Sequence, residues 1–444
     1  MSPSTGNDSR TDVESQGYGK EHAAVRKAAK ASFVGNFVEW FDYATYGYLA
    51  AVIASVFFAP GDDVAALLAT FGVFALSFIV RPIGGLFWGN WGDKYGRRWA
   101  LSWSILIMSG STFAIGLLPG YATIGIGAPI LLLVLRVVQG FSASGEYAGA
   151  AAFMSEYAPA DKRGLYTSVV PASTASGLLA GALFVFMLNA LLTDAQLESW
   201  GWRIPFLLAG PLGYIGRYIR IHLEDSPVYR EMAEKAEVKK VDAPVRYVLR
   251  HHWKRIMVGL GVTCLNAVAF YLLLSYMPTF LSEEVGMDAS LALASSSISL
   301  AFYIVMIFAM GHFSDTYGRK RMLITACLLF IIFAVPSYWL LGMGTFWIVM
   351  VVQIFLCGLL TMNDGTLATF LSELFPTRVR YTGFALSFNT ANALFGGTAP
   401  FVATWLIATT GSIMAPGWYL VIVAVLALGA MLTIHETAFE PLED

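Results

Sequence analysis

The fold class predicted here is an all-α membrane protein of twelve transmembrane helices in two six-helix pseudo-repeats. Three observations carry it. Hydrophobic residues make up 57% of the 444 and charged residues only 13%. Basic residues alternate from loop to loop, and two motifs recur half a chain apart. A soluble domain has about a quarter charged residues, so this chain is solvated mainly by lipid.

A span needs about 20 predominantly apolar residues. Such stretches fall near 33–58, 64–90, 100–118, 128–155, 165–192, 203–221, 256–281, 289–313, 321–341, 345–369, 381–408 and 415–434. Residues 1–30 are polar and have no apolar run followed by a cleavage site. They read as a disordered cytoplasmic tail and not as a signal peptide. The organisation expected is that tail, a six-helix bundle over 31–221, a linker over 222–255, a second bundle over 256–434 and a C-tail over 435–444. The linker holds Pro227, Pro244 and a charged middle, and is too short for an independent catalytic domain.

Orientation follows from Lys and Arg. The loops at 59–63, 119–127, 193–202, 282–288, 342–344 and 409–414 carry none. Basic residues sit instead in the N-tail and the even loops, as at Lys94/Arg97/Arg98, Lys162/Arg163, Arg319/Lys320/Arg321 and Arg378/Arg380. Basic loops stay on the cytoplasmic side, so both termini are expected there.

The repeat gives the architecture. Gly89-x-x-x-Asp93-x-x-Gly96-Arg97-Arg98 returns 222 residues later as Gly311-x-x-x-Asp315-x-x-Gly318-Arg319-Lys320. A second pattern, Glu156/Pro159/Arg163, returns as Glu373/Pro376/Arg380. Two motifs in one order imply two parallel halves, the arrangement of a rocker-type carrier with its site between them. The glycines suit tight turns. Asp93 can accept from helix ends or basic groups of a neighbouring helix, and Arg97 and Arg163 lie close enough to Glu156 to form a cytoplasmic charge cluster, with Asp315, Arg319, Glu373 and Arg380 as the counterparts in the repeat. Together these eight residues read as a cytoplasmic gate that holds while one side is closed and breaks when the halves rock. Topological anchoring by positive charge alone is the plainer reading, but it requires neither Asp93 nor Glu156.

The doubled GxxxDxxGR[RK] motif resembles the signature of the major facilitator superfamily and implies its fold. Within it, Gly35-Asn36-Phe37-Val38-Glu39-Trp40-Phe41-Asp42-Tyr43, Arg81-Pro82-Ile83-Gly84-Gly85, Gln139-Gly140-Phe141-Ser142-x-x-Gly145-Glu146-Tyr147 and Trp200-Gly201-Trp202-Arg203-Ile204-Pro205-Phe206 resemble the metabolite:proton symporter family. That family includes proline/betaine, alpha-ketoglutarate, shikimate and citrate carriers. The segments Tyr271–Pro278, Tyr419–Val425 and His435–Ala438 are most similar to the osmoprotectant proline/betaine transporters, whereas Phe395-Gly396-Gly397 also resembles the carboxylate carriers. The resemblance implies a multi-pass protein of the bacterial inner membrane that couples a small solute to a proton. The best-known osmosensory member continues as a long C-terminal coiled coil, so osmotic activation through such a coil is not expected of this chain.

A charge at a helix centre costs about 2.5–3.5 kcal/mol on insertion scales, so each ionisable residue kept inside is a functional candidate. Glu39 and Asp42 are three apart on one helical face, and Tyr46 continues it four residues later. Two carboxylates so close in low dielectric favour holding a proton, which makes Asp42 the expected proton carrier with Glu39 as its neighbour. Neutralisation by Arg81 or Arg136 purely for packing is the alternative. Arg136 and Tyr147 are eleven apart, about three helical turns, and share a face. Arg136 suits a substrate carboxylate, which a guanidinium grips bidentately, and the resemblance also implies a part for it in proton coupling. Glu146 is expected on a flank, paired through Arg81, and Arg203 is expected as an anchor.

A methylated ammonium donates no hydrogen bond and is favoured by aromatic faces. Trp40, Tyr43, Tyr46, Tyr271 and Tyr276 supply rings on the first and seventh spans, which the resemblance implies line the cavity. Ordinary packing claims most rings in a chain with 14% aromatics. Asp364, in the tenth span, could balance a substrate's positive end or hold a second proton, and Asn389 and Asn392 share a face on the eleventh. The interior acids (Glu39, Asp42, Glu146, Asp364) outnumber the arginines (Arg81, Arg136), which favours a zwitterion over a polyanion. The two readings are therefore proton-coupled uptake of proline, glycine betaine or ectoine, and proton-coupled uptake of an organic acid.

Enzyme chemistry finds no support: there is no Walker A, GxSxG or HExxH pattern, and no His/Cys cluster. Cys264, Cys327 and Cys357 are isolated in apolar stretches, without disulfide or metal spacing. No cofactor, no metal and no nucleic-acid partner is expected. The partners are a small solute, a proton and the bilayer, and the working unit is a monomer.

Overall fold

The computed structural model describes residues 8–61, 63–222 and 244–443. Among these residues all regular secondary structure is helical, joined by short loops. The spans are α1 (Asp8–Tyr48, resumed as Ala50–Phe57), α2 (Asp63–Ile79 and Arg81–Tyr95), α3 (Arg97–Leu117), α4 (Gly127–Ala143 and Glu146–Tyr157), α5 (Arg163–Thr167 and Val169–Leu191) and α6 (Arg203–Ile221). After the linker come α7 (Trp253–Phe270, prolonged to Glu284), α8 (Ala289–Tyr317), α9 (Arg319–Leu341), α10 (Phe346–Glu373), α11 (Arg380–Ala391, prolonged to Thr410) and α12 (Ala415–Leu432). Most of the linker lies outside the described residues, which resume at the short surface helix Pro244–His251.

Ten of these spans are long and apolar enough to cross a membrane by length and composition. The remaining two are α1, which carries Glu39 and Asp42, and α6, which carries Arg203, Arg217 and Arg220; charge lowers their mean hydropathy. Outward positions are apolar, as at Leu191, Val305 and Phe401, because hydrocarbon and not water meets them. One expectation fails at the N-terminus. Residues 8–30, read as disordered, are helical and continuous with α1. The stretch from Lys20 to Lys30 is rich in Ala, Lys, Arg and Glu, strong helix formers that need no apolar face to propagate a helix already started.

The halves repeat one packing scheme. α1 lies on α5 and α3 on α6, and correspondingly α7 lies on α11 and α9 on α12. The halves meet through α2 against α11 and through α5 against α8, two pairs exchanged by the pseudo-twofold. Motif glycines make both meetings possible. A Cβ on Gly89 would stand 2.7 Å from Thr382 Cα, and one on Gly311 would stand 2.5 Å from the carbonyl oxygen of Gly164. Gly96 (φ 108°) and Gly318 (φ 99°) make the turns that follow, where an L side chain would be strained.

Candidate functional site

In the first half, α1, α2 and α4 converge on two buried ion pairs. Arg81 Nη2 lies 2.7 Å from Glu39 Oε1, and Arg136 Nη1 lies 3.0 Å from Asp42 Oδ2. The two carboxylates therefore hold separate arginines. Gln139 bridges the second pair: its Oε1 accepts from Arg136 at 2.5 Å, and its Nε2 donates to Asp42 and, at 2.9 Å, to Thr112 Oγ1. Arg136 stacks over Tyr46 at 3.7 Å from the ring centre, and Tyr46 donates to the Thr70 carbonyl at 3.1 Å. Tyr46 thus faces the interior of its own bundle, under the arginine. Asp42 Oδ1, Glu39 Oε2 and Arg136 Nε and Nη2 are buried without a hydrogen-bond partner among the described residues.

Beside this lies an aromatic cluster from both halves. Trp40 meets Phe270 at 5.2 Å and Tyr271 at 6.3 Å between ring centres, Phe78 meets Tyr271 at 5.7 Å, and Tyr43 meets Phe78 at 5.3 Å. Arg81 stacks over both Phe78 and Tyr43, at 4.5 and 4.8 Å. Tyr271 opens a π-helical stretch, Tyr271–Tyr276, in α7, and a second one, Asn392–Gly396, lies in α11. The two pack on each other, since a Cβ on Gly396 would fall 2.7 Å from the Tyr271 ring. Insertions of this kind recur at functional sites. Tyr276 stands apart from the cluster: its hydroxyl bonds Thr404 Oγ1 on α11 at 2.7 Å.

Across the interface, Asp364 on α10 is buried and held by phenols. Tyr303 of α8 donates to Oδ2, and Tyr147 of α4 lies 3.4 Å from Oδ1. Tyr147 also stacks flat on Phe388 at 4.4 Å. No ion pair to Asp364 exists among the described residues. Asn389 donates to the Ser144 carbonyl across the halves at 2.9 Å, while Asn392 donates to the Phe388 carbonyl at its own helix turn at 2.9 Å.

Glu146 departs from expectation. Its partner is Arg220 at the end of α6, not Arg81, with Nη1 2.8 Å from Oε2 and Nη2 on Oε1. Arg81 is already held by Glu39, and α6 packs on α3 beside the start of the second α4 segment. Arg203 donates to the carbonyls of Gly116 and Leu118 at 2.8 and 2.7 Å, fastening α6 to the end of α3.

On the face that carries the basic loops, the two motifs lock the halves together. Asp93 accepts from the backbone N–H of Tyr381 and Thr382 at 3.2 and 2.8 Å, at the start of α11. Asp315 does the same for Gly164 and Leu165 of α5, at 2.7 and 2.9 Å. A carboxylate suits unsatisfied helix N-termini. Glu156 takes Arg97 from its own half and Arg380 from the other, the latter at 2.6 Å. Glu373 takes Arg319 at 3.4 Å and Arg163, from the opposite half, at 3.7 Å.

The C-terminal segment lies over this lock. Glu436 accepts from the backbone of Arg319 and Lys320 at 2.7 and 3.1 Å, capping α9. The carbonyl of Glu440 accepts from Arg163 at 3.1 Å, and that of Glu443 from the N–H of Thr377 at 2.8 Å. These tail contacts, Arg220 and Tyr303 were not foreseen. An arginine at a helix end reads as ordinary loop charge, and a tyrosine in an apolar span reads as packing.

The model of the Major Facilitator Superfamily matches residues 32–400 and 260–441. The chain is 38% identical over 429 residues to the glycine betaine/proline/ectoine/pipecolic acid transporter OusA of Dickeya dadantii, covering 94% of this chain and 85% of that one. It is 37% identical, with the same coverage, to the proline/betaine transporter of Escherichia coli K12. A putative proline/betaine transporter of Staphylococcus aureus COL is 36% identical over 415 residues, with 93% and 88% of the two chains covered. Among solved structures, the proton:xylose symporter XylE bound to 6-bromo-6-deoxy-D-glucose superposes with a TM-score of 0.79 at 17% identity, over 95% of this chain and 98% of that one. The chain belongs to the major facilitator superfamily, in the branch that holds the proline/betaine transporters.

Proposed function

We propose that this protein imports a small zwitterionic osmoprotectant (proline, glycine betaine or ectoine) with a proton, by alternating access. The basic face is cytoplasmic in this reading, both termini lie there, the membrane is the bacterial inner membrane, and a monomer is the working unit. The names of relatives at 36–38% identity support the substrate class.

The single observation that carries the coupling is the Asp42–Arg136 pair, whose guanidinium keeps two unpartnered nitrogens. A proton on Asp42 removes the charge that holds Arg136, leaving its N–H fork for a substrate carboxylate. Substrate and proton then favour one another's binding, which is what symport requires. Glu39 performs the corresponding service for Arg81. Asp364, held by phenols and no arginine, supplies the negative charge for the ammonium end. The rings of Trp40, Tyr43 and Tyr271 supply faces for its methyl groups, and Tyr147, Asn389 and Asn392 complete the wall. The carboxylates and arginines of the lock, Asp93, Arg97, Glu156 and Arg163 with Asp315, Arg319, Glu373 and Arg380, serve as the cytoplasmic gate.

Counterflow in proteoliposomes tests this with labelled proline, betaine, alpha-ketoglutarate, shikimate and citrate. Exchange of proline or betaine, with none of the three acids, is the expected result. Counterflow confined to an acid rejects the substrate assignment.

A further inference from the structure

Surface recesses also form among residues that take no part in the proposed transport path. Two adjoining grooves, of about 760 Å³ and 500 Å³, share Phe87 and Asn90 on the outer side of α2, near its end on the basic face. The first is closed on one side by the surface helix Pro244–His251, through Val245, Arg246, Leu249 and Arg250. The second runs along the rings of Trp91, Tyr95, Trp99 and Trp103.

The two linings are unlike a water-filled recess. Phe87 is 44% exposed, Tyr95 59% and Trp99 41%, so large rings stand open at the level where the spans leave the bilayer. Tyr and Trp concentrate at that level because one end of the ring is apolar and the other wet. The helix that forms the other wall is amphipathic: Pro244 and Val248 are buried against the bundle, while Arg246 and Arg250, four residues apart, stand on the exposed side. Neither arginine has a carboxylate within ion-pair distance among the described residues. Cations also sit on the rings of the second groove. Arg217 lies 4.7 Å from the centre of Trp103, Arg98 5.3 Å from Trp99 and Lys94 5.3 Å from Tyr95.

Apolar walls with a cationic rim, at the depth of the interface, fit one class of ligand. We propose that these grooves bind an anionic phospholipid of the leaflet on the basic face. Its phosphate is gripped by the guanidinium groups of Arg246 and Arg250, which match a phosphate bidentately. Its acyl chains descend along Phe87, Leu86 and the indole faces. Asn90, between the grooves, meets the glycerol ester region. A basic recess among membrane helices is the setting in which acidic headgroups are recognised. The bound lipid joins the surface helix to α2, and α2 is the helix whose Asp93 holds α11. Occupancy thereby bears on the same contact between halves that the lock uses.

Native mass spectrometry of the full chain, purified in detergent and offered equal phosphatidylglycerol and phosphatidylcholine, reads the proposal directly. One phosphatidylglycerol is expected to be retained in preference to phosphatidylcholine. Surface cations contribute enough that losing one arginine should cut the preference about fivefold and losing both about thirtyfold. The variant Arg246→Ala/Arg250→Ala is therefore expected to abolish it, whereas Lys254→Ala, an exposed cation outside the grooves, leaves it intact. Both arginines are exposed, so a circular dichroism spectrum matching the parent verifies the fold, and Arg250→Glu offers a second variant with the same expected loss. Equal retention of the two lipids by the parent overturns the site. So does a preference that Lys254→Ala reduces as strongly as the double variant, which marks diffuse charge. A dimer in the same spectra that the double variant dissolves assigns the grooves to a second copy, and also overturns it.

Discussion

Arg380, the first residue of α11, reaches across the interface between halves to Glu156 Oε1 at 2.6 Å. Arg97 meets the same oxygen from within the first half. One carboxylate is therefore clamped by two arginines that belong to different bodies, and both pairs are buried. In the proposed alternating-access cycle this contact holds while the basic face is closed, which ties the charge pattern of the motifs to one conformation.

Glu156→Ala is expected to release that face. Removing one member of a buried pair costs on the order of 3 kcal/mol, which moves a two-state equilibrium by about a hundredfold. A reporter Ala148→Cys, fully buried above the lock, should then react with an impermeant maleimide in inside-out vesicles at a greatly raised rate. An unchanged rate means that Asp93 and Asp315 carry the closure without Glu156.

Asp42→Asn removes the proposed proton site while keeping a side chain of similar shape beside Arg136 and Gln139. Exchange of labelled substrate across the membrane is expected to continue, and accumulation driven by an inward proton gradient to disappear. Undiminished uphill uptake moves the coupling to another carboxylate. Glu39→Gln is the companion measurement, because Arg81 holds Glu39 in a geometry of the same kind.

Much of this was legible in the chain. The spans, the halves and the lock residues follow from apolar runs, a doubled motif and alternating loop charge, all local signals of long range in the sequence. Partners across the fold were less legible. Glu39 and Asp42 are neighbours on one helix, which suggested a shared proton, but their distances from Arg81 and Arg136 depend on how three helices converge. Tyr276 was grouped with Tyr271 by residue type. Tyr276 faces Thr404 instead, a partner set by how α7 packs on α11 and not by residue type. Arg220 stands at a helix end among other basic residues, where a structural cation and a topogenic one share the same signature.

Asp364→Asn tests the positive end of the substrate. The interior would lose a carboxylate that no arginine neutralises; Tyr303 and Tyr147 donate to different carboxylate oxygens, so an amide keeps an acceptor for only one of them. A hydrogen-bonded or charge-paired contact of this kind contributes about 1.5–3 kcal/mol, so KM for glycine betaine is expected to rise between about tenfold and a hundredfold, with the dependence on the proton gradient retained. A variant that keeps its KM and instead loses gradient-driven accumulation makes Asp364 a proton site.

The Glu146–Arg220 pair makes the opposite kind of prediction, since it lies between α4, α3 and α6 and serves the fold. Arg220 also donates to the Leu101 carbonyl at 2.8 Å, and Ser104 lies 3.4 Å from Glu146. Arg220→Ala strands Glu146 in a dry interior and is expected to destabilise the first bundle by about 3–5 kcal/mol. Replacing both partners, as Glu146→Met/Arg220→Met, removes the stranded charge and refills the volume, so it should recover most of the loss. Thermal unfolding in detergent reads both variants, and counterflow reads whether exchange persists in the double one. If the pair worked in coupling, the double variant would regain its melting temperature and its counterflow and still fail to accumulate substrate under an inward proton gradient; a structural pair regains all three together.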